Sequence, residues 1–255
     1  MAEATLETGS IPFQAEGRLL QELGLRLVAS PEVALVELVK NAFDADSPVC
    51  RVHLEGKGRI LIVADEGHGM TLMDFSEKWM RIATSSKVDR TTSPIYERKM
   101  TGAKGIGRFA VRSLGDHLTL ESIAFDKKFR HKTRLVAEFD WNRLDDSENI
   151  NDEKVKFKLF KVADNAVTGT TLRISEMKGE GDFAQSKELR TNVLSMVSPI
   201  TGLERGRFSL SRKGVKKDPG FQISLPGDSE TETENVDLAA QVLGNYWAKL
   251  TIELT

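Results

Sequence analysis

The sequence predicts an α/β protein in which helices back a sheet. Three observations carry that reading. Apolar residues recur at helical spacing over residues 15–45. Short alternating or wholly apolar runs bounded by turn residues follow from residue 49 onward. Helical and strand-like segments also interleave along the chain, which favours mixed layers over separate all-α and all-β parts.

Residues 1–12 read as an arm ending at Pro12, with Leu6 and Ile11 as its apolar members. Leu19, Leu20, Leu23, Leu27 and Val28 then fall at helical spacing. Ser30-Pro31-Glu32 reads as an N-cap followed by proline at the first helical position, opening a second helix to about Ala45. Residues 49–54 and 59–64 read as a hairpin around Gly56-Lys57-Gly58. A helix is expected over 73–82, and a loop over the polar, aperiodic stretch 83–100. Another helix should start near Gly107 and run to Leu114. Residues 118–124, 133–140, 154–160 and 170–175 are strand candidates, with a charged turn over 145–152. Residues 183–197 read as a helix stopped before Pro199. Beyond Gly202, short strands at 208–211 and 222–225 flank a basic turn, followed by an acidic linker over 228–234 and a short helix. The alternation over 247–254 reads either as the start of a domain cut short or as an edge strand closing the sheet. The expected division is an arm over 1–12, a main domain over 13–200, and a β-rich extension over 201–255 that begins a second small α+β region.

Composition narrows the possibilities. With 40% apolar and 29% charged residues, the chain has enough apolar material for a sizeable core. A net charge of −2 gives no global basic field for nucleic acid. The single cysteine, Cys50, excludes an internal disulfide and a cysteine-rich zinc site, and the four histidines show no metal-ligand spacing. No apolar run approaches the roughly 20 residues that span a bilayer. The acidic start, Met1 to Glu7, lacks signal-peptide features, so a cytoplasmic location without membrane contact is expected.

Three segments carry chemistry. On the second helix, Glu37, Asn41 and Asp44 share one face, opposite Leu35, Leu38, Val39 and Ala42. They supply a carboxylate and an amide for a metal and a water. Asp65 ends the apolar run Ile60-Leu61-Ile62-Val63, so its carboxylate is aimed from a strand end and can accept from an exocyclic amine. Gly67 and Gly69 let backbone approach a ligand there, with Met70 next to them. Gly102, Gly105 and Gly107 surround Lys104 before an apolar helix, an arrangement suited to phosphate. A P-loop requires a different spacing and a following Lys-Ser/Thr, which are absent. Residues 105–110 fit a dinucleotide fingerprint, but the preceding Tyr96-Glu97-Arg98-Lys99-Met100-Thr101 is polar where that motif needs an apolar strand.

These segments, with Gly169-Thr170-Thr171-Leu172 as a fourth, resemble the GHKL ATPase superfamily of DNA gyrase, the large heat-shock chaperones, MutL-type repair proteins, histidine kinases and MORC proteins. The resemblance implies a two-layer α/β sandwich over about 13–200 and binding of ATP with Mg²⁺. It further implies Glu37 as the general base toward water and Asn41 as the metal ligand, with Asp44 supporting the helix or the pocket. Asp65 would read the adenine amine, with Gly67, Gly69 and Met70 beside the base and Thr170 or Thr171 helping through water. Gly102, Gly105, Ile106, Gly107 and Arg108 would form the phosphate-contacting hinge, and Lys104 would act on a phosphate. Residues 81–87, with Thr84, Ser85 and Lys87, resemble the start of an ATP lid and read equally as a solvated basic loop. Residues 88–101 would be the lid itself, disordered without nucleotide.

A glutamate at position 37 suits hydrolysis and departs from the histidine kinases; the phrase from Ser30 to Asn41 most resembles heat-shock-like proteins near MutL and MORC. An ATP-dependent homodimer, acting as the motor of a larger protein with a downstream effector or partner, is the family expectation. Hydrolysis is expected to be slow, because a basic residue that completes such sites comes from a following domain. The competing reading is a nucleotide-gated DNA- or protein-binding module, using Arg205, Arg207, Arg212, Lys213, Lys216 and Lys217 on nucleic-acid phosphates. A dinucleotide-dependent oxidoreductase is a third. Repair, chaperone-like, chromatin-like and antiviral roles all use such modules, and fold does not choose among them.

Overall fold

The computed structural model describes residues 30–81, 91–101, 110–145, 154–178, 189, 216–226 and 233–237. Helix α1 (Pro31–Asp44) starts as its sequence dictates: Ser30 is extended, its Oγ accepts from the Val33 N–H at 3.4 Å, and proline follows. It stops in a Schellman arrangement. Asp46, at φ 59°, sends its N–H to Phe43 O at 3.1 Å, while the Ser47 N–H reaches Ala42 O at 3.2 Å. An aspartate fills the left-handed position usually given to glycine, and its side chain finds work elsewhere in the site.

Strands β1 (Val49–Glu55) and β2 (Ile60–Asp65) form the expected hairpin, in register from Cys50↔Asp65 to Glu55↔Ile60. The helix expected over 73–82 is instead three α residues, α2 (Leu72–Asp74), running into a π-helical turn, Phe75–Trp79. A capping box between Thr71 and Asp74 starts it, and Phe75 is buried against the Phe139 ring, 6.2 Å between centroids. Helix α3 (Ala110–Leu114) leads directly into β3 (Gly115–Asp126) and β4 (His131–Asp140). A short helix, α4 (Trp141–Asp145), precedes the expected charged turn; Trp141 stacks on Phe139 at 5.3 Å and is thereby buried. Strands β5 (Lys156–Lys161) and β6 (Gly169–Met177) follow, then β7 (Gln222–Pro226) and β8 (Thr233–Asp237).

All eight strands form one sheet, ordered β5-β4-β3-β6-β2-β1-β7-β8, with β1–β7 parallel and every other pair antiparallel. The stretch 228–234, expected as a linker, gives Thr233 and Glu234 to β8, opposite Pro226 and Leu225. The acidic composition concealed a strand that pairs Val236 with Ile223. Thus residues past 201 add two strands to the main sheet.

One face of the sheet is covered by α1 and α3, which also pack on each other. Alternation supplies the interface: Leu35, Leu38 and Val39 of α1 meet Val52, Leu61, Leu120 and Ile174 of the strands in a single core. The other face carries ion pairs such as Arg173–Glu55 at 2.7 Å. This is the two-layer α/β sandwich. None of the described helices is long and apolar enough to cross a membrane. The expected helix over 15–29 and the strands over 208–211 and 247–254 lie outside the described residues, as does the helix over 183–197 except Leu189, which is helical and fully buried.

Candidate functional site

The last two turns of α1 hold three of the sequence-selected residues. Glu37 and Asn41 are half-buried, and Asp44 is buried. The Lys40 ammonium holds Glu37 in place, donating to Oε1 at 2.7 Å. Asp44 Oδ1 accepts both the N–H and the Oγ–H of Thr101, at 2.8 and 2.9 Å. Residue 101 immediately precedes the glycine-rich segment, so α1 fixes where that segment begins.

Asp65 ends β2, and the chain after it folds back on the end of α1, where the His68 N–H reaches Ala45 O at 3.0 Å. Asp65 Oδ1 accepts from the Gly67 N–H at 2.7 Å. Burial pushes the Asp65 carboxyl up to about 7, with a further upward contribution from Glu66; the Gly67 and Thr170 backbone donors oppose both. Glu66 itself pairs with Arg51 at 2.6 Å.

Two glycines permit the close packing here. Gly69 sits at φ +66°, and a Cβ on it would lie 2.1 Å from Ile123 O. Gly169 sits at φ +149°, and a Cβ there would lie 2.0 Å from Asp65 O. Any side chain at either position would drive apart β2, β3 and β6. Sequence reading passed over Ser122, which ties this corner together. Its Oγ accepts from the Met70 N–H at 2.8 Å, donates to Gly169 O at 3.1 Å and lies 3.0 Å from Thr170 Oγ1. Thr171, one residue on, is paired with Ala64 beside Asp65.

Residues 91–101 correct an expectation. Rather than belonging to a disordered lid, they are folded against the end of α1. Buried Asp46 is the reason: its carboxylate accepts the Ser93 hydroxyl and the N–H groups of Ile95 and Tyr96, the latter two at 2.7 and 3.1 Å. Arg98, fully buried, is the second anchor. It donates to Asp218 at 2.7 and 3.0 Å, to Gly220 O at 2.7 Å, and to Ser47 O and Phe43 O at the end of α1. Neither Asp46 nor Arg98 was legible as a site residue, because their partners lie 47 or more positions away in sequence.

The structure therefore brings together the end of α1, the loop Asp65 to Met70, the start of β6 at Gly169 to Thr171, and Thr101. Thr84, Ser85, Lys87, Gly102, Lys104, Gly105, Ile106, Gly107 and Arg108 lie outside the described residues. Among the described residues, no group of three or more His, Cys, Asp or Glu stands together to hold a metal. On α1 the Asn41 amide offers one hard oxygen, a sparse provision that fits Mg²⁺ retaining waters and substrate phosphates, with Glu37 one turn before it on the same face. A separate cleft of about 290 Å³, walled by His117, Glu138, Asp140, Arg143, Lys154 and Lys156, contains none of the selected residues.

Comparison with known proteins adds one positive finding. The family model described as histidine kinase-, DNA gyrase B- and HSP90-like ATPase matches residues 29–170, more than half of the chain and all of the convergence just described as far as Thr170. No curated protein matches the chain.

Proposed function

This chain belongs to the histidine kinase-, DNA gyrase B- and HSP90-like ATPase family, and from that premise we propose that it binds ATP against Asp65 and hydrolyses it with Glu37 as the base. One observation carries the reading: a half-buried carboxyl at a strand end, partly desolvated between the end of α1 and the start of β6, with backbone too close for side chains. Such a carboxylate accepts strongly from an exocyclic amine, because little water competes for it. The backbone of Gly67 and Thr170 orients it. Glu37, two turns before Asp44 on the same face, takes a proton from the water that attacks the terminal phosphate, and Lys40 keeps its carboxylate in position. Asn41 would hold Mg²⁺, which supplies charge neutralisation on the phosphates when bound. Lys104 contributes positive charge to the same phosphates, and residues 102–108 follow directly from the Thr101 anchor.

The finer reading follows the phrase from Ser30 to Asn41: a heat-shock-like module near the MutL and MORC branch, in which ATP closes a lid and pairs two subunits as the motor of a larger protein. Calorimetric titration with ATP, ADP and NADH, with and without Mg²⁺, tests the nucleotide. ATP binding that needs Mg²⁺ is expected, and preference for NADH would end the reading. Glu37→Ala should keep that binding while turnover falls by roughly a hundredfold or more. Sedimentation with a non-hydrolysable ATP analogue should show a dimer that is absent without it; a monomer in both conditions removes the pairing. A second reading, a nucleotide-gated nucleic-acid module, draws on the exposed Lys216 and Lys217. It predicts salt-dependent DNA retention that is lost when both are neutralised.

A further inference from the structure

Arg98 is among the largest fully buried side chains, and all five of its guanidinium hydrogens have an acceptor. Two go to the Asp218 carboxylate as a fork, one to Gly220 O, and one each to Ser47 O and Phe43 O. Its plane lies among the rings of Phe43, Tyr96 and Phe221, 4.8 to 5.7 Å from their centroids. Three chain segments meet in this one group: the end of α1, the strip 91–101, and residues 218–221 leading into β7. Helix α1 has no basic residue in its own last turn, so Arg98 supplies from outside the cation that its C-terminal carbonyls favour. The strip it belongs to ends at Thr101, held by Asp44 one turn after Asn41. Strand β7 is in turn locked to β1 through the Gln222 N–H to Pro48 O bond, 2.9 Å, and runs parallel beside Cys50, the partner of Asp65.

We propose that Arg98 is a positioning residue that couples the docking of β7 to the nucleotide site, so that nucleotide binding and the seating of residues 218–226 strengthen each other. The inference rests on the ATP reading above and adds a partner to it, the segment after residue 216. The coupling is reciprocal by thermodynamic necessity, and a coupling of ordinary size corresponds to about a tenfold change in either equilibrium.

The test is backbone hydrogen–deuterium exchange on the full chain, with Mg²⁺ and a non-hydrolysable ATP analogue, followed over residues 218–226. In the unaltered protein the analogue should slow exchange there by roughly tenfold. Arg98→Lys keeps the charge but cannot reach all five acceptors. It should bind the analogue about tenfold more weakly and show no protection of β7 even at saturation. Asp218→Asn, which removes the fork while keeping shape, should behave the same way and serves if the lysine variant does not fold. A merely structural role would leave β7 exchange independent of nucleotide. If the unaltered protein binds the analogue by calorimetry and β7 exchange does not change, or if Arg98→Lys retains the protection, the coupling is overturned while the ATP reading stands. If calorimetry shows no binding to the unaltered protein, the ATP reading fails and the coupling fails with it.

Discussion

Asp65, proposed above to read the nucleotide, is buried at the expense of folding. Its carboxyl sits at about 7 in the folded chain against an ordinary 3.8. Between those values the folded state keeps a proton that the unfolded state has released. Stability from this group is therefore fully present below about pH 4 and is lost as pH rises to about 7, after which it levels off. The shift sets a ceiling of about 4 kcal/mol on that loss. Asp65→Asn retains an oxygen for the Gly67 N–H but cannot ionise. Thermal melts should show the variant more stable than the unaltered protein at pH 8 and nearly equal at pH 4. The same variant should abolish ATP binding. An adenine amine prefers the ionised carboxylate, so nucleotide binding should tighten as pH rises through about 7 and release protons in calorimetry. Binding that is flat between pH 6 and 8 would separate Asp65 from the ligand.

At the scale of elements, α1 shows what a sequence makes legible and what it does not. Its start is local, a serine followed by proline, and the expected and observed boundaries coincide at Pro31. The hairpin after it is equally local. Its end depends on Asp46, whose left-handed backbone and buried carboxylate are set by residues 93–96, and no short-range pattern encodes that distance. The same reason hid Ser122 and Arg98, and it let the polar composition of 91–101 pass for a disordered stretch. The predicted face of Glu37, Asn41 and Asp44 follows from helical period alone, whereas the binding of Asp44 to Thr101 is a tertiary fact. Asp46→Ala would leave the Ser93 hydroxyl and two N–H groups without their acceptor, a loss of about 3 kcal/mol at the low end of the roughly one to three that each buried group costs, because Ile95 and Tyr96 are only half-buried. The loss should be concentrated in the strip. Limited proteolysis should therefore reveal new cleavage between residues 91 and 101 at temperatures where the sheet is still intact by circular dichroism; equal protease resistance would show that Asp46 is not the anchor.

For the whole molecule, the sheet order explains why these parts meet. Strand β2 ends at Asp65 where β1 begins at Val49, β6 at Gly169 and β7 at Gln222, so four adjacent strands present their ends at one edge. Helix α1 delivers its C-terminus to that edge. A ligand seated there touches groups from across the sheet and binds only when the sheet is assembled, so it must stabilise the fold as a unit. At a free concentration one hundred times its dissociation constant it adds about 2.7 kcal/mol. For a chain of 255 residues that corresponds to a rise in melting temperature of roughly 5–10 °C. Calorimetric melts with ATP and Mg²⁺ should show the rise in one cooperative transition. Removing the metal with a chelator should return most of it, because phosphates crowded near Glu37 then lack their counter-charge. A rise that survives chelation would leave Asn41 without a metal to hold, and a rise confined to one of two resolved transitions would mean that the site is built on part of the sheet alone.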